Sequence, residues 1–394
     1  GIAVCAFGYG KKEYNNALKN QVDKLLHTSN LYYNVPTMEA AEKALAAADM
    51  DRIFFTNSGT EAIEGALKAA KKYAYTRDGH AGHEVIAMQH SFHGRSLGAL
   101  SVTGTKHYQE PFEPLIPGIR FAEYNNLESV KEKITDKTCA IIMETVQGEG
   151  GIYPADPEFL KGVRALCDKY GILLICDEVM AGFYRTGKMF AFMNFDMKPD
   201  IITFAKGVTC GYVQLGGVAV SSKIAAYFDD HLLSCGLTYS GHPLACAAGV
   251  ACVNYYKEAN ILDNVNKVGK VLGEILEELK EKHPCIGDVR YIGLFSSIEL
   301  VKDRKTKEPL VPYGKDPEGT MGKIIGMLKA KKFMTYSHEN MIFVISAVSY
   351  SSYRTGCPDT CGRSIYLQKS DGYDRYTGSV CGKTDYEISA GCLS

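Results

Sequence analysis

The feature that most constrains this chain is a series of short, nearly all-apolar runs at residues 52–56, 84–89, 140–144, 172–176, 201–205 and 217–221, separated by amphipathic stretches. Strands apolar on both faces must be covered on both faces, and a parallel sheet flanked by helices provides that cover. The alternation therefore predicts βα units feeding a mostly parallel sheet between about Asp51 and Val220. In such sheets ligands gather at the carboxyl ends of the strands, so the residue after each run is the first candidate for chemistry.

After Ala251 the texture changes. Leu262, Val265, Val268, Leu272, Ile275 and Leu279 recur at three and four, the pattern of a long amphipathic helix with Glu274, Glu278 and Lys280 on its other faces. A strand over 291–300, a loop with Pro309 and Gly319, and a helix ending near Lys332 complete a small α+β domain. At 394 residues one hydrophobic core is not enough. The expected organisation is a small-domain segment over 1–45 with its start missing, a large domain over 46–255, the rest of the small domain over 256–344, and an atypical tail over 345–394.

Balanced charge, 44 Lys plus Arg against 45 Asp plus Glu, provides no field for nucleic acid or an anionic membrane. No run approaches the roughly 18 apolar residues of a membrane span, and residues 1–10 lack the form of a signal peptide. A cytoplasmic protein with small-molecule partners is expected. The cysteines Cys139, Cys167, Cys176 and Cys246 sit singly in apolar or helical contexts and read as buried thiols.

Three places carry candidate chemistry. At Thr56-Asn57-Ser58-Gly59-Thr60-Glu61 a strand runs into a helix, Ser58 and Glu61 form a capping box, and free amides at the helix start make an anion site; an ordinary cap is the plainer reading. Asp177 closes the most apolar run, where a carboxylate is costly unless a cation meets it. Lys206 closes another, where desolvation lowers an amine's pKa toward a usable nucleophile. A structural Asp177–Lys206 ion pair is the alternative for these two.

The ordered set Asn57-Ser-Gly-Thr-Glu-Ala62, Ser91-Phe-His-Gly-Arg95, Glu144-Thr-Val-Gln-Gly-Glu-Gly-Gly151, Asp177-Glu-Val, Arg185-Thr-Gly-Lys188, Ala205-Lys-Gly207 and Thr238-Tyr-Ser-Gly-His-Pro243 resembles the class III aminotransferases over about residues 1–344. The resemblance implies an α/β fold of the pyridoxal-phosphate (PLP) transferase type I. It implies Lys206 as the Schiff-base lysine and proton shuttle, and Asp177 as the partner of the pyridinium nitrogen. Ser58, Gly59 and Thr60 match the phosphate cradle, Phe92 and Val179 the two ring faces, and His93 a further cofactor contact. Thr238 matches a threonine that reaches the neighbouring subunit's cofactor phosphate, implying a homodimer with shared sites. Arg95 matches a substrate-carboxylate arginine and Glu149 a carboxylate that masks a second arginine. Amino acids and keto acids are the implied partners, and no metal is expected.

Two positions depart from the acetylornithine branch: Met180 stands where a glutamine belongs, and Phe343 where a 2-oxoglutarate arginine belongs. Both resemble branches that take pyruvate. The reading is therefore a transaminase of an ω-amino acid such as β-alanine, taurine or 4-aminobutyrate, with pyruvate or 2-oxoglutarate as acceptor. The alternatives are N-acetylornithine:2-oxoglutarate transamination, PLP-dependent racemase or mutase chemistry, and an inactive binding-only relic. Beyond Val344 the family's closing strand and helix are replaced by a polar stretch with Cys357, Cys361, Cys381 and Cys392, which reads as a foreign or out-of-frame tail. Without paired CxxC spacing it does not read as a metal site.

Overall fold

The computed structural model describes residues 2–331, 333, 335–346 and 348, and the backbone of the strands Tyr366–Lys369 and Tyr376–Ser379. The tail expectations, including Cys357, Cys361, Cys381 and Cys392, lie outside the described residues. A seven-stranded sheet is built from β1 (Arg52–Thr56), β2 (Glu84–Met88), β3 (Ile119–Ala122), β4 (Thr138–Met143), β5 (Leu173–Asp177), β6 (Ile201–Phe204) and β7 (Gly216–Val220). Their order is β1-β7-β6-β5-β4-β2-β3. β7 runs antiparallel to both neighbours, and every other pairing is parallel.

All six apolar runs are strands, because alternate residues feed two separate cores. Ile86, Ile141, Leu174 and Ile202 join the core shared with the helices Pro157–Tyr170 and Pro243–Glu258, whereas Val85, Ile142, Leu173 and Ile175 join the one under the helix Gly59–Asp78. Each such side chain contributes about 1.5–3 kcal/mol by leaving water. β3 had no sequence signal. At the sheet edge only Ala122 of its four residues is buried, and its Arg120 turns outward to pair with Glu84 at 2.7 Å.

The second sheet orders Ile286–Ile292, Phe295–Asp303, Met341–Val344 and Tyr336–His338, all antiparallel, with Glu308–Pro309 added beside Phe295–Asp303. Here the expected single strand over 291–300 is corrected to a hairpin. Gly293, at φ +58°, turns the chain between the two arms, and a glycine inside an apolar run was the available signal. The long amphipathic helix is present as Ile261–Lys282, and the last expected helix as Thr320–Ala330.

Residues before the sheet brace one of its strand ends. The helices Lys12–Val22 and Val35–Ala48 pack on Pro243–Glu258. Phe7 lies among the rings of Tyr14, Tyr255 and Tyr256, and the Tyr14 hydroxyl donates to the Thr209 carbonyl at 2.8 Å. The leading segment thus clamps the turn after β6. Cys139, Cys167, Cys176 and Cys246 are buried free thiols. Among the described residues no helix is long and apolar enough to cross a membrane.

Candidate active site

Because β2, β4, β5 and β6 are parallel neighbours, the residues after their carboxyl ends meet at one edge of the sheet. Asp177 ends β5 at 5% exposure. Its Oδ2 lies 2.7 Å from Nδ1 of His93, and its Oδ1 accepts the Val179 amide at 2.9 Å. Burial works against a charged His93 ring, but the Asp177 carboxylate, helped by Glu144, outweighs it and raises the imidazole pKa. Among the described residues Nε2 of His93 has no hydrogen-bond partner although it is buried.

Two further carboxylates stand behind this pair. Glu144, next after β4, accepts the amides of Phe92 at 3.1 Å and Gly148 at 3.0 Å, and burial pushes its pKa up against the pull of His93. Glu178, fully buried, accepts the amides of Ala191 and Phe192 at 2.7 and 2.9 Å and is pushed up by burial to about 7. Neither was singled out from sequence. Glu144 obeys the same strand-end rule that found Asp177, so the signal was present.

Lys206 opens the turn Lys206–Val208 directly after β6, with φ at +42°. A lysine does not take that left-handed conformation freely; the surroundings must impose it. Around it the Val208 amide donates to the Ala205 carbonyl at 3.1 Å, and Gly207 O accepts the Tyr256 hydroxyl at 2.8 Å and the Cys252 thiol at 3.3 Å. Among the described residues the Lys206 amine makes no hydrogen bond or ion pair, so the structural Asp177–Lys206 salt bridge is not formed. Burial lowers its pKa, against the attraction of Asp177, Glu144 and Glu149. A lowered pKa favours the neutral amine, which is the nucleophilic form.

The helix Gly59–Asp78 starts beside them. Ser58 Oγ accepts the Glu61 amide at 3.3 Å, while the Glu61 carboxylate reaches Asn57 N at 2.7 Å, one residue before the cap of a regular capping box. The amides of Gly59 and Thr60 belong to the orphan donors of the first turn and find no acceptor among the described residues. A Cβ on Gly59 would lie 2.8 Å from Val179 Cγ1, so only glycine lets Val179 rest on the helix start. Gly94, at φ +139°, similarly brings the loop after β2 against Thr60, whose Oγ1 is 2.7 Å from Ser96 Oγ. The cradle, Val179, the Asp177–His93 pair and the loop bearing Phe92 are therefore one assembly.

At its rim Phe92 is half-buried, and exposed Arg95 stacks at 4.4 Å on the Tyr108 ring and 5.4 Å over Phe92. Glu149 Oε1 accepts the hydroxyls of Tyr108 at 3.2 Å and Tyr336 at 3.1 Å, and among the described residues no arginine pairs with it. Phe343 is buried and packs on Tyr336 with ring centroids 5.0 Å apart. Met180 packs into the same apolar cluster. Tyr336→Phe, which removes one of two donors to a half-buried carboxylate, should lower stability by about 1 kcal/mol, read as a lower thermal midpoint of the holoenzyme. Thr238 lies on an exposed turn and makes no hydrogen bond within its own chain among the described residues. Tyr108 and Tyr336 sit too far apart in sequence for any local pattern to join them to Glu149.

An unpaired amine, a buried carboxylate–imidazole pair and a bare helix start are gathered on a mostly parallel sheet, groups suited in chemistry to an aldehyde, a basic ring nitrogen and a phosphate. Comparison with known proteins narrows this. The family model described as Aminotransferase class-III matches residues 1–340. Acetylornithine aminotransferase of Methanocaldococcus jannaschii is 45% identical over 302 residues, 76% of this chain and 75% of that one. The probable mitochondrial acetylornithine aminotransferase of Dictyostelium discoideum is 43% identical over 324 residues, 80% and 70% of the two chains. Among solved structures, taurine:2-oxoglutarate aminotransferase from Bifidobacterium kashiwanohense, in complex with PLP and glutamate, superposes with a TM-score of 0.84 at 38% identity, covering 89% of this chain and 83% of that one. This chain belongs to the class III aminotransferase family, and its cofactor is PLP.

Proposed function

We propose that the enzyme moves the terminal amino group of N-acetylornithine to an oxo acid, 2-oxoglutarate or pyruvate. Bound PLP supplies an aldehyde that takes an amine covalently and a ring that stores an electron pair. Lys206 would hold the aldehyde carbon and, as a free amine, would move a proton at the substrate's amine-bearing carbon. Asp177, oriented by His93, would keep the ring nitrogen protonated. Gly59 and Thr60, with Ser58 capping the helix, would hold the phosphate, and Phe92 and Val179 would contact the ring. Thr238 completes the site of a partner subunit in a cytoplasmic homodimer, a reading supported by its exposure beside the exposed apolar residues Leu232 and Tyr239.

The observation that carries a donor with a carboxylate far from its amine is Arg95, an exposed guanidinium braced on Tyr108 at the rim, and the relatives narrow that class to N-acetylornithine. It can grip a carboxylate bidentately at one end of a donor whose amine lies at the other. The acetylornithine relatives, 38–45% identical, support this donor. A second reading, an ω-amino acid such as taurine, 4-aminobutyrate or β-alanine, is favoured by Phe343, which removes the second carboxylate partner, and by the likeness to the taurine enzyme.

Amine transfer from N-acetylornithine, 4-aminobutyrate, β-alanine and taurine to both acceptors decides between them. N-acetylornithine is expected to show the highest kcat/KM, and no transfer from it would sink this assignment. Arg95→Ala should raise KM for donors with a distal carboxylate by roughly 10–100-fold, the loss of one charge-assisted bidentate contact, and leave uncharged amines unaffected. Equal effects on both classes would remove Arg95 from the substrate site.

A further inference from the structure

Away from the active site, the loop joining the helix Gly59–Asp78 to β2 gathers Asp78, His80 and His83, each offering one ligand atom, with all three atoms within 4.8 Å of one another. From this cluster we propose a surface site for a divalent transition ion of the zinc class, bound by two imidazoles and one carboxylate with water in the fourth position.

Three independent details favour a cation there. Asp78 Oδ2 and His83 Nε2 are 3.0 Å apart, close to the roughly 3.3 Å edge of a tetrahedron with zinc bond lengths of about 2.0–2.1 Å. His80 Nδ1 lies 2.9 Å from the Ala81 carbonyl; donating there leaves Nε2 with its lone pair free, the arrangement by which a backbone carbonyl orients a metal-binding histidine. The loop also extends from the helix's carboxyl end, capped by Gly79 at φ +76°, where the helix dipole attracts positive charge.

The rest of the cluster suits this role. The rings of His80 and His83 stack 4.8 Å apart at 14°, and His83 is buried, so little side-chain freedom is left to lose. Arg77 bonds both oxygens of Asp78, at 2.6 and 2.7 Å, and fixes the carboxylate in place. A metal on Oδ2 displaces only the Arg77 Nη2 and His83 contacts, leaving Nε on Oδ1. That competition weakens the site.

The cluster precedes β2 whereas the loop bearing His93 comes after it, which places the ion roughly 15 Å from the catalytic edge at about 3.3 Å per residue. It pins the far end of the helix whose start presents Gly59 and Thr60. Its effect is on stability, and amine transfer is independent of it.

The test is zinc titration of chelator-treated holoenzyme by calorimetry, with the thermal midpoint followed in parallel. One ion per chain is expected, and the midpoint should climb with the logarithm of zinc concentration. His80→Ala, at an exposed position, should weaken zinc at least tenfold and abolish the climb while leaving the metal-free midpoint and turnover unchanged; Asp78→Asn should also weaken it. Absence of binding to the unaltered enzyme overturns the site. So does zinc affinity that both variants retain, which would place the ion elsewhere, for instance on cysteines.

Discussion

Lys206→Ala is expected to lower amine transfer by about 10⁴-fold, the upper end of what a positioned general base supplies, because one side chain performs both covalent attachment and proton movement. The amine is buried, unpaired among the described residues and lowered in pKa, on a residue in the left-handed region. Alanine removes the amine and leaves Ala205, Gly207 and their hydrogen bonds intact, so the protein should stay folded. Two readouts separate the roles. Borohydride should fix the mass of PLP on Lys206 in the unaltered enzyme and not in the variant, and an added small amine should restore part of the turnover by replacing the base. Turnover of the variant within tenfold of the unaltered enzyme would mean that another group moves the proton.

Asp177→Asn has the second-largest expected effect, a fall in kcat of about 10²–10³-fold, or roughly 3–4 kcal/mol of lost electrostatic stabilisation. Asparagine can still accept the Val179 amide, but it carries no charge to hold a proton on the ring nitrogen or on His93. Removing one member of a buried charged pair also destabilises by about 3–5 kcal/mol, less where the replacement keeps a hydrogen bond. The pH dependence has a defined sign. His93 has a raised pKa in the folded state, so its pairing with Asp177 contributes stability that is complete below the unfolded value of about 6.5 and disappears as pH rises through the folded value. The difference in thermal midpoint between the two proteins should therefore be largest near pH 6 and shrink toward alkaline pH. A difference that grew with pH would mean that His93 is neutral in the pair.

The sheet was legible because its strands are covered on both faces. Ile141 and Ile142 point into different cores, so both must be apolar, and the run announces itself. Where burial is one-sided the signal failed: β3 passed unnoticed, and the hairpin around Gly293 looked like one strand because apolar residues continue through its turn. Asp177 and Lys206 stood out as charges ending apolar runs. Glu144 was open to the same logic, but its coupling to His93 was not, since that contact crosses from β4 to the loop after β2.

From the chain of residues alone came the layered α/β fold, the strand ends where chemistry sits and, through the ordered motifs, the family. These are local properties, carried by which residues are apolar and which residue ends each run. Only the tertiary structure decided what surrounds each group: that Lys206 is unpaired among the described residues and held in the left-handed region, that His93 backs Asp177, and that Glu149 rests on Tyr108 and Tyr336 rather than on an arginine. Such facts depend on side chains as many as 187 positions apart in the chain, as Glu149 and Tyr336 are, and their charge states come from the burial that packing imposes.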